Sequence, residues 1–159
     1  MRHKDHIRPV VKVAAAIITR GSKILITRRR HPPELAGLWE FPGGKAMPGE
    51  SLEQCLAREI MEELCLVIDV GRHLGSTTTI SGGKTLEINF FEAAAASGEI
   101  VLHDHSDARW IEPEQLPEFA FAPADRSFVG RILQGGIIPD HPFRASKESR
   151  NTTSGRRRR

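Results

Sequence analysis

The sequence predicts a chain of the α/β (α+β) class, a mixed β-sheet with helices on its faces. Two observations lead there. Runs of β-branched and apolar residues stand before, between and after helical segments, without the strict alternation of strand and helix that a purely parallel sheet needs. One central segment also carries both the start signal and the apolar spacing of a surface helix. At 159 residues the chain is sized for one domain with one core.

Taken in order, Val10 to Thr19 and Lys23 to Arg29 flank the turn Arg20-Gly21-Ser22 and read as a hairpin, its second strand finishing in Arg28, Arg29 and Arg30. A loop with Pro32 and Pro33 follows, then a short extended piece, Leu38 to Phe41, stopped by Pro42-Gly43-Gly44. Ser51 opens the helix, with Gln54 three positions on to complete a capping box. Leu52, Cys55, Leu56, Ile60 and Leu64 make its buried stripe. Val67 to Val70 and Thr77 to Ile80 are expected to be extended, and Ser81-Gly82-Gly83-Lys84 turns the chain so that Thr85 to Ala93 pairs back. Ser97-Gly98-Glu99 turns again before Ile100 to Leu102. After Arg109-Trp110-Ile111 come a short helix from Pro113 and a longer one, Asp125 to Leu133. No internal repeat is present.

Composition narrows the function classes. With 39% hydrophobic and 27% charged residues, a disordered, collagenous or fibrous chain is excluded. The formal charge of +3 suggests a polyanion partner, but the excess sits at the end: residues 144–159 hold seven basic residues against Glu148, a net +6 that leaves the rest at −3. A mildly acidic body argues against a basic groove, so nucleic acid is expected as a partner only through that tail. Residues 1–143 are expected to form the domain, and the tail is too poor in apolar residues to fold. Cys55 and Cys65 lie ten positions apart, wrong for a metal knuckle and awkward for a disulfide, and are expected reduced and buried. Apolar runs such as Val13 to Ile18 are too short to span a bilayer. No signal-peptide pattern precedes Val10, so a cytoplasmic address is expected, without a membrane partner.

The chemistry sits on the helix. Glu59, Glu62 and Glu63 stand at i, i+3 and i+4, which gathers three carboxylates on one face, about 100° from the stripe. Such a cluster repels itself unless solvent or a cation compensates, and oxygen-only ligands select a hard ion such as Mg²⁺, with Mn²⁺ as a substitute. Taken alone, this spacing is usually a solvated helix face.

The wider spacing decides between them. Gly44, five residues, Glu50, seven residues, Arg58-Glu59-Ile60, one residue and Glu62-Glu63 resembles the Nudix box, departing from it only where Cys65 replaces the closing glycine before Leu66. That glycine supplies a left-handed helix cap, which cysteine reaches at a cost of about 1 kcal/mol. The resemblance implies an α/β/α sandwich with a mixed sheet and a Mg²⁺-dependent hydrolase of phosphoric anhydrides. It implies Glu59 and Glu63 as main metal ligands, Glu62 coordinating a further ion or its water, and the carbonyl of Gly44 facing the metal. Arg58 would orient the glutamates, and Glu50 would stand behind them as a structural acid. A diphosphate is itself anionic, so carboxylates approach it only through divalent cations, which also activate water for attack.

Beyond the box, Ile26-Thr27-Arg28-Arg29, Trp39-Glu40-Phe41-Pro42-Gly43-Gly44-Lys45 and Ala108-Arg109-Trp110-Ile111 look like the MutT-like branch, which hydrolyses nucleoside triphosphates to monophosphate and pyrophosphate. The branch implies a nucleotide contact at Arg29, otherwise a solvated strand end. It implies a metal-ligating or catalytic acid at Asp104, here one methylene shorter than the usual glutamate and otherwise a plain surface acid; His105 beside it reads as structural. It implies a base-reading residue at Asp125, where an amide is usual. An ionised Asp125 only accepts hydrogen bonds and would favour the amine of cytosine or adenine; a protonated one would serve an oxidised guanine. Asp125 also fits as the N-cap of the last helix. The resulting expectation is cleansing of oxidised nucleotides such as 8-oxo-dGTP, in service of DNA repair, by a monomer. The competing readings are hydrolysis of another nucleoside diphosphate derivative (a CTP-type nucleotide, a sugar nucleotide or a dinucleotide) and a non-catalytic sensor. The retained glutamates weigh against the sensor.

Overall fold

A computed structural model describes residues 7–135. The end of the expected 1–143 domain and the whole 144–159 tail lie outside them. The sheet runs in the order β3-β2-β1-β6-β5, with β4 also on β1 and β7 also on β2. Its strands are β1 (Val10–Arg20), β2 (Lys23–Arg29), β3 (Trp39–Glu40), β4 (Gly43–Lys45), β5 (Val67–Ser81), β6 (Lys84–Ser97) and β7 (His105–Ile111). Helix α1 (Leu52–Leu64) follows β4, and a 3-10 turn (Pro113–Glu118) leads to α2 (Pro123–Leu133). β1 pairs parallel with β6, while the other pairings are antiparallel, so the sheet is mixed as expected.

The apolar run of β1 is explained by burial on both sides. Ala14, Ala16 and Ile18 face the stripe of α1 (Cys55, Leu56, Ile60, Leu64). Ala15 and Ile17 face Phe90, Phe128 and Ile132 on the α2 side, where the Phe90 and Phe128 rings stack at 3.8 Å. One core was expected; the sheet divides burial into two clusters, one per face. At roughly 25 cal/mol per Å² of apolar surface removed from water, these clusters are the main stabilising contribution to the fold.

The capping box forms as read: Ser51 Oγ accepts from Gln54 N–H at 3.1 Å and Gln54 Oε1 from Ser51 N–H at 3.0 Å. Cys65 ends the helix with φ 56 and ψ 27, taking the left-handed conformation that the missing glycine would have supplied.

Elsewhere the structure differs from the reading in instructive ways. The two extended pieces at 67–70 and 77–80 are one strand, β5, whose pairing with β6 shifts around Val70, His73 and Gly75. Those irregularities break the period-2 pattern that sequence reading relies on. Ile100 to Leu102 is no strand. Val101 N–H and His103 N–H instead cap α1 by donating to the carbonyls of Leu64 and Glu63. Gly43 and Gly44 do not end the pairing but make β4, and at Gly43 the strand β1 passes too close for a side chain: a Cβ there would stand 1.9 Å from the Ala14 carbonyl oxygen. No helix among the described residues is long and apolar enough to cross a membrane.

Candidate active site

Helix α1 lies against β5, β1 and β4 and buries its apolar stripe there. Glu59 packs on Gly44 so closely that a Cβ there would meet its carboxyl carbon at 2.3 Å and Oε2 at 2.5 Å. The glycine is therefore required by a side chain, not by a turn. Arg58 holds the flank together. It grips Glu50 through two contacts, Nε to Oε1 at 2.7 Å and Nη2 to Oε2 at 2.9 Å, and reaches Glu59 at 2.8 Å and Glu62 at 3.3 Å through Nη1. The hydrogen bonds from Arg58, then that from the Met47 N–H, lower the Glu50 pKa to about 2.

Glu63 lies outside Arg58's grip. Burial, then the charge of Glu59 and a hydrogen bond with it, then the charges of Glu40 and Asp104, push its pKa up to about 8. A carboxylate in this setting ionises readily only against a positive charge. Among the described residues no three acidic, histidine or cysteine side chains form a closed cage, so a cation held here draws its ligands from side chains that turn toward it. The donor set fits a hard divalent ion: carboxylate oxygens of Glu59, Glu62 and Glu63, beside a Gly44 carbonyl that lies 3.5 Å from the Cys55 thiol.

Next to the acids sits a polar group built by three adjacent strands. Arg29 on β2 forms an ion pair with Glu40 on β3, and His105 Nε2 on β7 lies 3.1 Å from the other Glu40 oxygen. Asp104 is exposed at the edge of the same group, close enough to raise the Glu63 pKa. Asp125 closes the arrangement from α2. It is not the helix cap, because α2 begins at Pro123 with Ala122 in the capping position, which puts Asp125 inside the first turn. Its side chain is buried, 7% exposed, and Oδ1 accepts from Phe41 N–H at 3.2 Å. Burial first, and the charge of Glu40 second, push its pKa up to about 8.

The structure thus gathers Gly44, Glu50, Arg58, Glu59, Glu62 and Glu63 along one flank, with Asp104 near Glu63 and with Arg29 and Asp125 linked to it through Glu40. Sequence reading passed over Glu40. The available signal was strand alternation: Trp39 and Phe41 belong to the α2-side core, so Glu40 between them turns to the face of α1.

This fold and acid-lined flank define a Nudix hydrolase. The chain belongs to that family: residues 9–132 match the NUDIX domain. Nudix hydrolases act on nucleotide substrates and use a divalent cation such as Mg²⁺. The chain is 37% identical over 116 residues to the CTP pyrophosphohydrolase of Escherichia coli (strain K12), covering 73% of this chain and 86% of that one. It is 36% identical over 135 residues to the Mycobacterium tuberculosis (strain ATCC 25618 / H37Rv) protein named "Putative 8-oxo-dGTP diphosphatase 2", covering 81% and 94%. Among solved structures, that of the E. coli ORF135 protein superposes with a TM-score of 0.72 at 34% identity, covering 80% of this chain and 91% of that one. MutT proteins share the fold as well.

Proposed function

We propose that the chain hydrolyses nucleoside triphosphates to the monophosphate and pyrophosphate, preferring oxidised or non-standard substrates such as 8-oxo-dGTP, and so cleanses the cytoplasmic nucleotide pool as a monomer. One observation carries the reading: Glu59, Glu62 and Glu63 share a flank on which Glu63 has no basic partner among the described residues, and Asp125, within reach of the charge of the same Glu40 that acts on Glu63, is buried as an acid that burial keeps neutral at neutral pH.

In this reading Glu59, Glu62 and Glu63, with the Gly44 carbonyl, would hold Mg²⁺ or Mn²⁺. When bound, the ion offsets the charge of the polyphosphate and activates water for attack at phosphorus. Arg58 keeps Glu59 and Glu62 in place while its paired contact with Glu50 fixes the guanidinium itself. Asp104, beside Glu63, supplies a further carboxylate at the reacting end. Arg29 meets the nucleotide, and Asp125 reads the base.

A protonated Asp125 offers an O–H donor and a carbonyl acceptor side by side, as an amide does. An oxidised guanine, whose N7 carries a hydrogen next to O6, matches that pair. Ordinary guanine presents two acceptors there and does not. Cytosine also sets a ring acceptor beside an amine donor, and the CTP pyrophosphohydrolase relative makes a cytidine nucleotide the second reading. The deciding assay gives purified protein and Mg²⁺ a panel of ordinary and oxidised triphosphates and scores pyrophosphate against phosphate release. Pyrophosphate from an oxidised purine or a cytidine nucleotide, abolished by EDTA, supports the reading; phosphate release, or no turnover of any triphosphate, overturns it.

A further inference from the structure

Arg29, Glu40 and His105 stand on three neighbouring strands, with β2 between β3 and β7. Glu40 is clamped from both sides, Oε2 by Arg29 Nη1 and Oε1 by His105 Nε2 at 3.1 Å. His105 is 4% exposed, and its Nδ1 is buried with no hydrogen-bond partner among the described residues. The ring hydrogen therefore belongs on Nε2, where it is donated to a carboxylate; on Nδ1 it would be a buried, unsatisfied donor. Even so, the orphaned nitrogen is a cost that Phe or Leu would avoid in the same space, so packing alone does not account for histidine here.

Arg29 is restrained from a second direction. Its Nε donates to the His31 carbonyl at 3.1 Å, and Nη1 is taken by Glu40. Nη2 is the part of the guanidinium without a partner among the described residues. We propose that Glu40 and His105 are positioning residues acting through Arg29: the imidazole fixes the carboxylate, the carboxylate fixes the guanidinium, and Nη2 is thereby presented to the nucleotide. This inference deepens the function proposed above and rests on its assignment of Arg29. The relay contributes through substrate affinity, because it orders a binding group; since the charge of Glu40 also acts on Glu63, the unchanged kcat is expected of the His105 variants and not of Glu40→Gln.

The test compares wild type with His105→Phe, His105→Gln, Glu40→Gln and the double variant His105→Phe/Glu40→Gln, at saturating Mg²⁺. KM and kcat are read for the triphosphate that wild type hydrolyses, with thermal melts alongside. Losing a charge-assisted hydrogen bond should raise KM about tenfold or more in His105→Phe, with kcat within about threefold of wild type. Glutamine places an amide N–H near the position of Nε2 and should restore KM. The double variant should be no worse than Glu40→Gln alone, because both changes cut one chain. An unchanged KM in folded His105→Phe, or additive losses in the double variant, overturns the relay. Should His105→Phe fail to melt cooperatively, His105→Gln is set against His105→Asn, whose amide mimics Nδ1 instead; equal KM values for these two also overturn it. A wild type that hydrolyses no triphosphate sinks the proposed function itself, a result distinct from an active wild type indifferent to His105.

Discussion

Replacing Asp125 with asparagine separates the electrostatic cost of this acid from its hydrogen bonding. Burial, then the charge of Glu40, raises its pKa from 3.8 to about 8, against the opposing pull of the Phe41 N–H and Arg29. Between those two values the folded chain keeps a proton that the unfolded chain has released, so stability falls as pH rises through the window. The loss is about 1.4 kcal/mol per pH unit, hence roughly 4 kcal/mol between pH 4 and pH 7. The group is only 7% exposed, so solvent screening removes little of this. Asparagine keeps an oxygen for Phe41 N–H and cannot ionise. Asp125→Asn should therefore match wild type near pH 4 and exceed it by about 4 kcal/mol at pH 7. Urea unfolding of both proteins at intervals from pH 4 to 8 measures the difference. Parallel curves would show that Asp125 ionises freely in the folded state and would refute the neutral-acid argument. The same pair predicts activity: above pH 8 wild type should lose its grip on an oxidised purine as Asp125 ionises, while the amide should not.

Further expectations follow from the flank of α1. Gly44→Ala should cost little stability, because its Cβ meets only the movable end of Glu59, yet remove most activity. Gly43→Ala meets the backbone of Ala14 and should impair folding; melting temperatures beside turnover rates distinguish the two. Glu63→Gln should lower kcat by about a hundredfold or more while unfolding no more easily than wild type at pH 7, since a raised carboxylate pKa makes ionisation a burden there. Mg²⁺ affinity should climb with pH up to about 8, the Glu63 value, and binding at lower pH should release a proton, detected by calorimetry in buffers of different ionisation heat; equal heats would contradict it. Arg58→Met should blunt the loss of stability as pH falls from 4.5 toward about 2, the window set by Glu50, because depressed carboxylates stabilise only while ionised; acid titrations by circular dichroism check this.

The parts of this protein that could be read from sequence are those governed by local rules. The helix was legible because Ser51 and Gln54 satisfy its free N–H groups and the apolar stripe repeats at 3.6 residues. The shared face of Glu59, Glu62 and Glu63 followed from the same period. Glu40 was not legible, because its importance arises from residues 11 and 65 positions away, Arg29 and His105, and no local pattern encodes such a meeting. Asp125 shows the middle case. Its place near a helix start was readable, but its burial goes with a hydrogen bond to the Phe41 backbone across the sheet, which turned an expected cap into a buried acid inside the first turn. β5 was read as two pieces for a related reason: the register shifts near His73 and Gly75 answer to pairing with β6, not to anything inside the strand.

The same helix gives its acids unequal surroundings, and that inequality bears on which cation suits the site. Arg58 contacts Glu50, Glu59 and Glu62 and leaves Glu63 aside. Arg58 pulls Glu50 to about 2, while burial and then Glu59 push Glu63 up to about 8, so near neutrality Glu63 holds a proton that any arriving ion must displace. A monovalent ion would exchange one positive charge for another and gain nothing in charge while losing hydration. A divalent ion leaves a surplus of one, and that surplus is what an anionic diphosphate requires before it can approach a row of carboxylates. On the function proposed above, preference for Mg²⁺ over Na⁺ follows from the resident proton as much as from the oxygen ligands, and Glu63→Gln removes the titrating proton while leaving an amide oxygen in its place.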